Sequence, residues 1–312
     1  MDNNSFNNSE NNNLKPNLDQ ELATFLKTDY CEIENDPEIK KNSLKTVIFY
    51  ILMFLFFGSF IILLLQQFYI NTHNITSDML KKDYIHYDKI VSEITNFSAA
   101  YGNLLIYAIS LTVILFFMHK ALRKDLVETR KIGVGSILKY CLIGYVIFIF
   151  CSYLGNAIIT GIGKLLNMSS EAGNEQGIID IMSSGTTNLV IMSISTVLLA
   201  PFLEEIVFRK SLFNLLSKKL KPIFVIIISG LIFGSIHIID PVITAFSAIN
   251  TNGIKPVIYE FSYIFVYGLM GIAFGIVYQL SHRNIIVTII LHMINNFLSV
   301  LLTIIEIYDL AN

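Results

Sequence analysis

Charge is what this sequence has least of. Only 15% of its 312 residues are Asp, Glu, Lys or Arg, against about 25% in soluble domains, so an ordinary water-facing surface is excluded. Basic and acidic residues nearly balance, 22 against 24, which removes any electrostatic case for a nucleic-acid partner. Cysteine is scarce as well. Cys31, Cys141 and Cys151 are odd in number, and the last two sit inside apolar runs, so they form neither a disulfide framework nor a zinc set. A collagen-like chain is excluded too, and disorder is excluded for most of the length. What fills the chain is hydrocarbon: 54% of residues are hydrophobic and the mean hydropathy is +0.61. The composition is that of an integral membrane protein.

A bilayer core of about 30 Å takes roughly 20 apolar residues per helix. Seven runs approach that length: Val47–Phe68, Leu104–Met118, Ile137–Ile159, Leu189–Phe208, Ile223–Ile239, Val257–Leu280 and Ile285–Ile305. The expected fold is all-α, a polytopic transmembrane helix bundle of about seven spans. Ahead of it stands an Asn-rich N-terminal tail, with seven Asn among the first 13 residues, too polar to offset its chain entropy by burial and expected to be largely disordered. Leu18–Glu34 is the one stretch of it with a helical pattern. The first apolar run starts too late, and without a small-residue cleavage pattern, for a signal peptide, so it is expected to remain as an anchor. The organisation expected is a polar tail over 1–45, N-terminal transmembrane helices over 46–185, a catalytic core over 186–306 and a short tail over 307–312.

Lys and Arg alternate between connections. Lys40, Lys41 and Lys45 precede the first span, Lys120, Arg123, Lys124, Arg130 and Lys131 follow the second, and Lys210, Lys218, Lys219 and Lys221 follow the fourth. Asn167–Asn188 holds none. Cytoplasmic loops carry the excess of such residues, which places the N-terminus in the cytoplasm and the C-terminus outside. Lys81, Lys82 and Lys89 in the first outer loop dilute the contrast.

The informative residues are polar ones in the wrong solvent. The run Leu198–Arg209 is apolar on both sides, yet holds Glu204, Glu205 and Arg209. Each unpaired charge at a helix centre costs about 2.5–3.5 kcal/mol, so three cost roughly 10 kcal/mol. Glu205 and Arg209 are four apart, acid first, and can pair on one helix face. Glu204 points about 100° away and is the less neutralised carboxylate, a candidate general base. Read alone, the trio also fits an ion-pair lock between helices. Phe233-x-x-x-His237 lies on the next span, and His292-x-x-x-Asn296 on the seventh, with its polar pair one turn apart on one face. His and Asn can both donate hydrogen bonds to an oxyanion, or simply to a neighbouring helix. Together these clusters are more telling than singly, because lipid offers no partner and separate spans must converge to bury them. Gly230, Gly234, Gly268, Gly271 and Gly275 supply small-residue stripes that permit a close approach.

The order EExxxR, FxxxH, HxxxN resembles the CPBP family of intramembrane glutamic endopeptidases, which includes the CAAX-processing prenyl protease Rce1 and bacterial Abi-type proteins linked to bacteriocin maturation and immunity. The resemblance covers Leu189–Leu302, and the run Gly271–Tyr278 is similar to the family's final helix pair. It implies that Glu204 and His237 activate water, that His292 and Asn296 hold the oxyanion, and that Glu205, Arg209 and Phe233 support the site. It also implies a water-filled cavity within the bilayer reached from the cytoplasmic side, no cofactor or metal, and a membrane-associated peptide or protein as substrate. The chain departs from the family pattern at Lys210, at His282-Arg-Asn284 and in the long stretch Asp240–Pro256.

Three alternatives stand beside it. Glu204, His237 and His292 could be zinc ligands, although HExxH is absent. A non-catalytic immunity or scaffold protein would keep its phenotype without Glu204 or His237. A proton-coupled transporter would also use intramembrane carboxylates and histidines, with Pro201 breaking the fourth span, but no internal repeat accompanies it.

Overall fold

A computed structural model describes residues 36–76, 79, 84–169 and 172–310. The tail expectations, Leu18–Glu34 and Cys31 lie outside the described residues, as do Lys81 and Lys82. Among the described residues every regular element is helical.

The first helix, α1 (Pro37–Thr72), begins well ahead of the Val47 limit expected from hydropathy. The Asp36 side chain accepts the Glu38 backbone N–H at 2.8 Å, and Pro37 occupies the first turn, where a missing N–H costs nothing. Residues 37–45, expected to belong to the polar tail, are therefore the opening turns of the helix. Only 17% of the most apolar window of α1 is buried; Phe56, Phe60, Leu63 and Phe68 project outward, as lipid-facing residues should.

Six helices are long and apolar enough to cross a membrane. The second, Tyr84–Leu166, contains two of the seven expected spans and breaks at Gly133, whose φ of 76° and ψ of 159° are not helical. A straight helix would set Tyr107 and Phe148 about 62 Å apart at 1.5 Å per residue, yet both line one cavity. The chain thus folds back at Gly133 into two arms, α2 (84–132) and α3 (134–166). Seven crossings and six continuous helices are two descriptions of the same path. Then come α4 (Gly173–Ser183), short and lying over one end of the bundle, and the long helices α5 (Thr186–Ser217), α6 (Pro222–Ser247), α7 (Lys255–Leu280) and α8 (Ile285–Leu310).

The closest helix crossing is α6 against α7. A Cβ added at Gly234 would sit 2.5 Å from the Gly268 nitrogen, and one at Gly230 would sit 2.7 Å from that of Ile272. Only glycine lets these backbones touch. At the α7–α8 turn His282 and Arg283 both take positive φ, 56° and 61°. Asn284 closes that turn by accepting the Ile286 N–H at 3.0 Å and meets Thr129 of α2, donating to its hydroxyl at 2.9 Å. The departure at His282-Arg-Asn284 is thus a left-handed turn clasped to α2. In the long Asp240–Pro256 stretch, α6 continues through Pro241 to Ser247 and turns at Gly253.

Candidate active site

α5 carries the carboxylates, and it is not a uniform α-helix. Two π-turns, Ser195–Leu199 and Ile206–Leu212, bracket the segment Ala200–Glu205. Single-turn π segments are rare and concentrate at functional sites. The first has a local cause. The Ala200 N–H bonds the Ser195 carbonyl, the five-residue pattern; continuing it to the Thr196 carbonyl would need an N–H at position 201, which is proline. Asn296 of α8 fills the gap, donating from Nδ2 to the Thr196 carbonyl at 2.9 Å. Pro201 therefore does not break α5. It frees a backbone acceptor that fixes one amide of the site.

Below this point the charges are sealed. Glu205 and Arg209 are fully buried, with Arg209 Nε 3.3 Å from Glu205 Oε2. Arg209 Nη2 donates to the Gly271 carbonyl at 2.9 Å. The guanidinium lies 4.7 Å from the Phe233 ring centroid and 5.4 Å from that of Phe274, a cation held by aromatic faces where water does not reach. His292 links this sealed set to the open one. Its Nδ1 is 2.9 Å from Glu205 Oε1 and its Nε2 is 3.8 Å from Glu204 Oε2, while its ring stacks on Phe274 at 4.5 Å. A carboxylate beside Arg209 accepts, so Nδ1 carries the proton toward Glu205.

Glu204 faces a cavity of about 370 Å³ whose walls also include His237, His292 and Asn296. His237 Nδ1 lies 2.9 Å from the Phe233 carbonyl. That oxygen can only accept, so the ring proton is on Nδ1 and Nε2 keeps its lone pair. Tyr267 holds the imidazole by stacking at 5.0 Å. Asn295 donates to Asn296 Oδ1 at 3.2 Å, and since Asn296 spends one Nδ2 proton on the Thr196 carbonyl, its second Nδ2 proton remains to be offered to the hollow.

The structure thus gathers Glu204, His237, His292 and Asn296 around one hollow with Phe233 in its wall, and keeps Glu205 and Arg209 packed beneath it. They do not form the zinc set: among the described residues no three His, Cys, Asp or Glu side chains are grouped to hold a metal. Sequence reasoning missed several parts of the site. Tyr267 and Phe274 orient the two imidazoles, and aromatic residues in an apolar span gave no reason to single them out. The departure at Lys210 is buried and paired with Asp125 of α2 at 2.8 Å; a lysine beside Arg209 in an apolar span was the available signal, while Asp125 lies in a charged stretch and gave none.

The family comparison falls on this half of the chain. Residues 186–298 match the family described as type II CAAX prenyl endopeptidase Rce1-like. That segment resembles this family. It nearly coincides with Leu189–Leu302, which carries the three motifs. A Bacillus subtilis (strain 168) protein named "Putative membrane peptidase YdiL" is 26% identical over 189 residues, 60% of this chain and 64% of the relative. An uncharacterized protein of Mycoplasma capricolum subsp. capricolum is 25% identical over 218 residues, 66% of this chain and 56% of the relative. The chain therefore spans less than two thirds of either relative's length. No solved structure matches it.

Proposed function

We propose that this protein is an intramembrane glutamic endopeptidase of the CPBP type, hydrolysing a peptide bond in a membrane-associated peptide or protein without a metal or cofactor. The observation that carries the reading is the shared cavity: an acid, two imidazoles and an amide from α5, α6 and α8 border one hollow of about 370 Å³ among apolar helices. The Rce1-like segment and the relative named as a membrane peptidase point the same way.

The protonation pattern assigns the steps. His237 Nε2 accepts a hydrogen bond from a water and so orients it, while the Glu204 carboxylate removes the water's other proton as the water oxygen bonds to the substrate carbonyl carbon. The carbonyl becomes an oxyanion, which the free Nδ2 proton of Asn296 stabilises. His292 donates to it from Nε2 only when its ring carries both protons, because Nδ1 is committed to Glu205. Glu204 lies 3.8 Å away, so the proton taken from water has a path to that nitrogen. Collapse of the intermediate breaks the C–N bond, and the proton leaves with the amine. Glu205 and Arg209 hold His292 and touch no substrate. The catalytic unit in this reading is 186–306, with 46–185 closing the cavity from the other side.

The test compares membrane-bound and secreted peptides of cells that carry the wild type or Glu204→Gln at equal protein level. Fragments present only with the wild type support hydrolysis. Identical peptide sets with a retained phenotype overturn it in favour of a binding or immunity protein.

A further inference from the structure

Two expectations drawn from the sequence conflict once the helices are in place. The basic connections put one end of the bundle in the cytoplasm, and the family resemblance puts the cavity mouth there as well. The structure separates the two. Lys120 of α2 pairs with Glu38 at the start of α1; Lys210 near the end of α5 pairs with Asp125 of α2; and Thr129 of α2 meets Asn284 at the α7–α8 turn. These contacts gather the basic segments 40–45, 120–131, 210–221 and Arg283 at a single end.

The cavity runs the other way on every helix that lines it. On α5 the lining stops at Glu204, and on α7 it stops at Phe274; on α8 it begins at His292 and continues through Asn296 and Ser299 to Thr303. On α3 it begins at Phe148 and continues through Ser152 to Asn156. Toward the basic end lie fully buried Arg209, Phe213, Tyr278 and Ile285, a dry plug. Toward the opposite end the walls include Asn174 and Glu175 of α4. A second hollow of about 760 Å³ continues from there, sharing Asn156, Ala172, Glu175 and Tyr263 with the first.

We infer that the cavity opens on the extracytoplasmic face, opposite the basic end, so that the polypeptide segment it takes is one presented outside the cytoplasm. Residue charge sets the sidedness: Lys and Arg near short loops are retained in the cytoplasm, and the plugged end holds most of them, against Lys89, Lys164 and Lys255 toward the mouth among the described residues. The substrate class then narrows to the translocated part of a membrane-anchored or exported peptide, and a tail confined to the cytoplasm lies on the wrong side of the plug. The sidedness stands on geometry and charge alone; the word substrate rests on the peptidase reading above.

The test is labelling of single cysteines in a full-length chain whose Cys31, Cys141 and Cys151 are replaced by Ala. Asn156→Cys and Thr160→Cys, exposed on α3, report the mouth, and Lys218→Cys, exposed beyond α5, reports the basic end. A membrane-impermeant maleimide should label both mouth positions equally in intact and permeabilised bacterial cells, and Lys218→Cys only after permeabilisation. Mouth labelling that requires permeabilisation, labelling of both ends in intact cells, or no mouth labelling in either condition overturns the inference. If the labelling holds while an anchored reporter with an external peptide segment stays uncut, the peptidase reading fails and the sidedness survives.

Discussion

On one side of α5, Glu204 borders a cavity; on the other, its sequence neighbour Glu205 is fully buried against Arg209 and His292. The two carboxylates share a helix turn and an apolar setting, yet their partners differ in kind. Glu205 is paired with a guanidinium and an imidazole, and Arg209 in turn meets three aromatic faces and a backbone carbonyl. Glu204 has only a long contact to His292 at 3.8 Å and open space in front of it. A buried charge with protein partners on all sides holds structure together, whereas one left facing a hollow keeps room for water and a reacting group. In the proposed mechanism, stability falls to one carboxylate and chemistry to the other.

The sharpest way to break that assignment is to neutralise each in turn. Glu204→Gln is expected to lower cleavage by about 10²–10⁴-fold, the usual yield of a positioned base, with folding unchanged in a thermal melt of the purified protein. Glu205→Gln leaves Arg209 buried without its counter-charge, a change that costs about 3–5 kcal/mol, and is expected to show first as a lower Tm and lower yield. If the stability loss falls on Glu204 and the activity loss alone on Glu205, the roles are reversed.

A second contrast sharpens the wet side. Asn296 spends one Nδ2 proton on the Thr196 carbonyl and presents the other, while Asn295 donates only to Asn296. Asn296→Ala should reduce turnover by about 10²–10³-fold, as loss of an oxyanion donor does, whereas Asn295→Ala should retain most activity. Equal losses in a cleavage assay would remove the oxyanion role from Asn296.

How far the site could be read in advance follows from what a linear pattern encodes. Glu204, Glu205 and Arg209 announced themselves because hydrocarbon penalises charge, and the Glu205–Arg209 contact followed from helix spacing alone. The glycines of α6 and α7 were legible as permission for a close crossing, and Gly234 now faces the Gly268 backbone. The link from His292 to Glu205 was not legible, because it depends on the relative depth of α8 and α5. Nor was the grip of Asn296 on Thr196, which needs both Pro201 and a π-turn that hydropathy does not register. The fold-back was legible as a basic connection between two apolar runs, although its position at Gly133, inside one continuous helical pattern, was not. The direction of the cavity is a property of seven crossings at once, and a resemblance to a family does not carry it.

The crossing itself can be tested at smaller scale. At Gly230 an added methyl would lie 2.7 Å from the Ile272 nitrogen, so α6 and α7 must separate. Gly230→Ala is expected to cost about 1–3 kcal/mol, the usual range for overpacking, and to lower activity through displaced His237 and Phe233. At Gly177, inside α4 and where an added Cβ meets nothing, the same change should raise stability by about 0.5–1 kcal/mol in a thermal melt.

The smallest effect concerns the dry end and asks whether its second ion pair is structural alone. Lys210 and Asp125 are both buried and 2.8 Å apart, clasping α5 to α2 beyond the Arg209 plug. Removing either partner breaks the buried pair, so Lys210→Met and Asp125→Leu should each be costly. The double variant replaces both charges with apolar side chains in an apolar setting, where desolvation no longer has to be repaid. Its stability loss is expected to fall short of the sum of the singles by about 0.5–3 kcal/mol, the range for residues in contact, with cleavage retained because neither group lines the cavity. Additive losses would show that the pair is not coupled. Loss of cleavage in a stable double variant would extend the chemistry past the plug and erase the division between the two carboxylates.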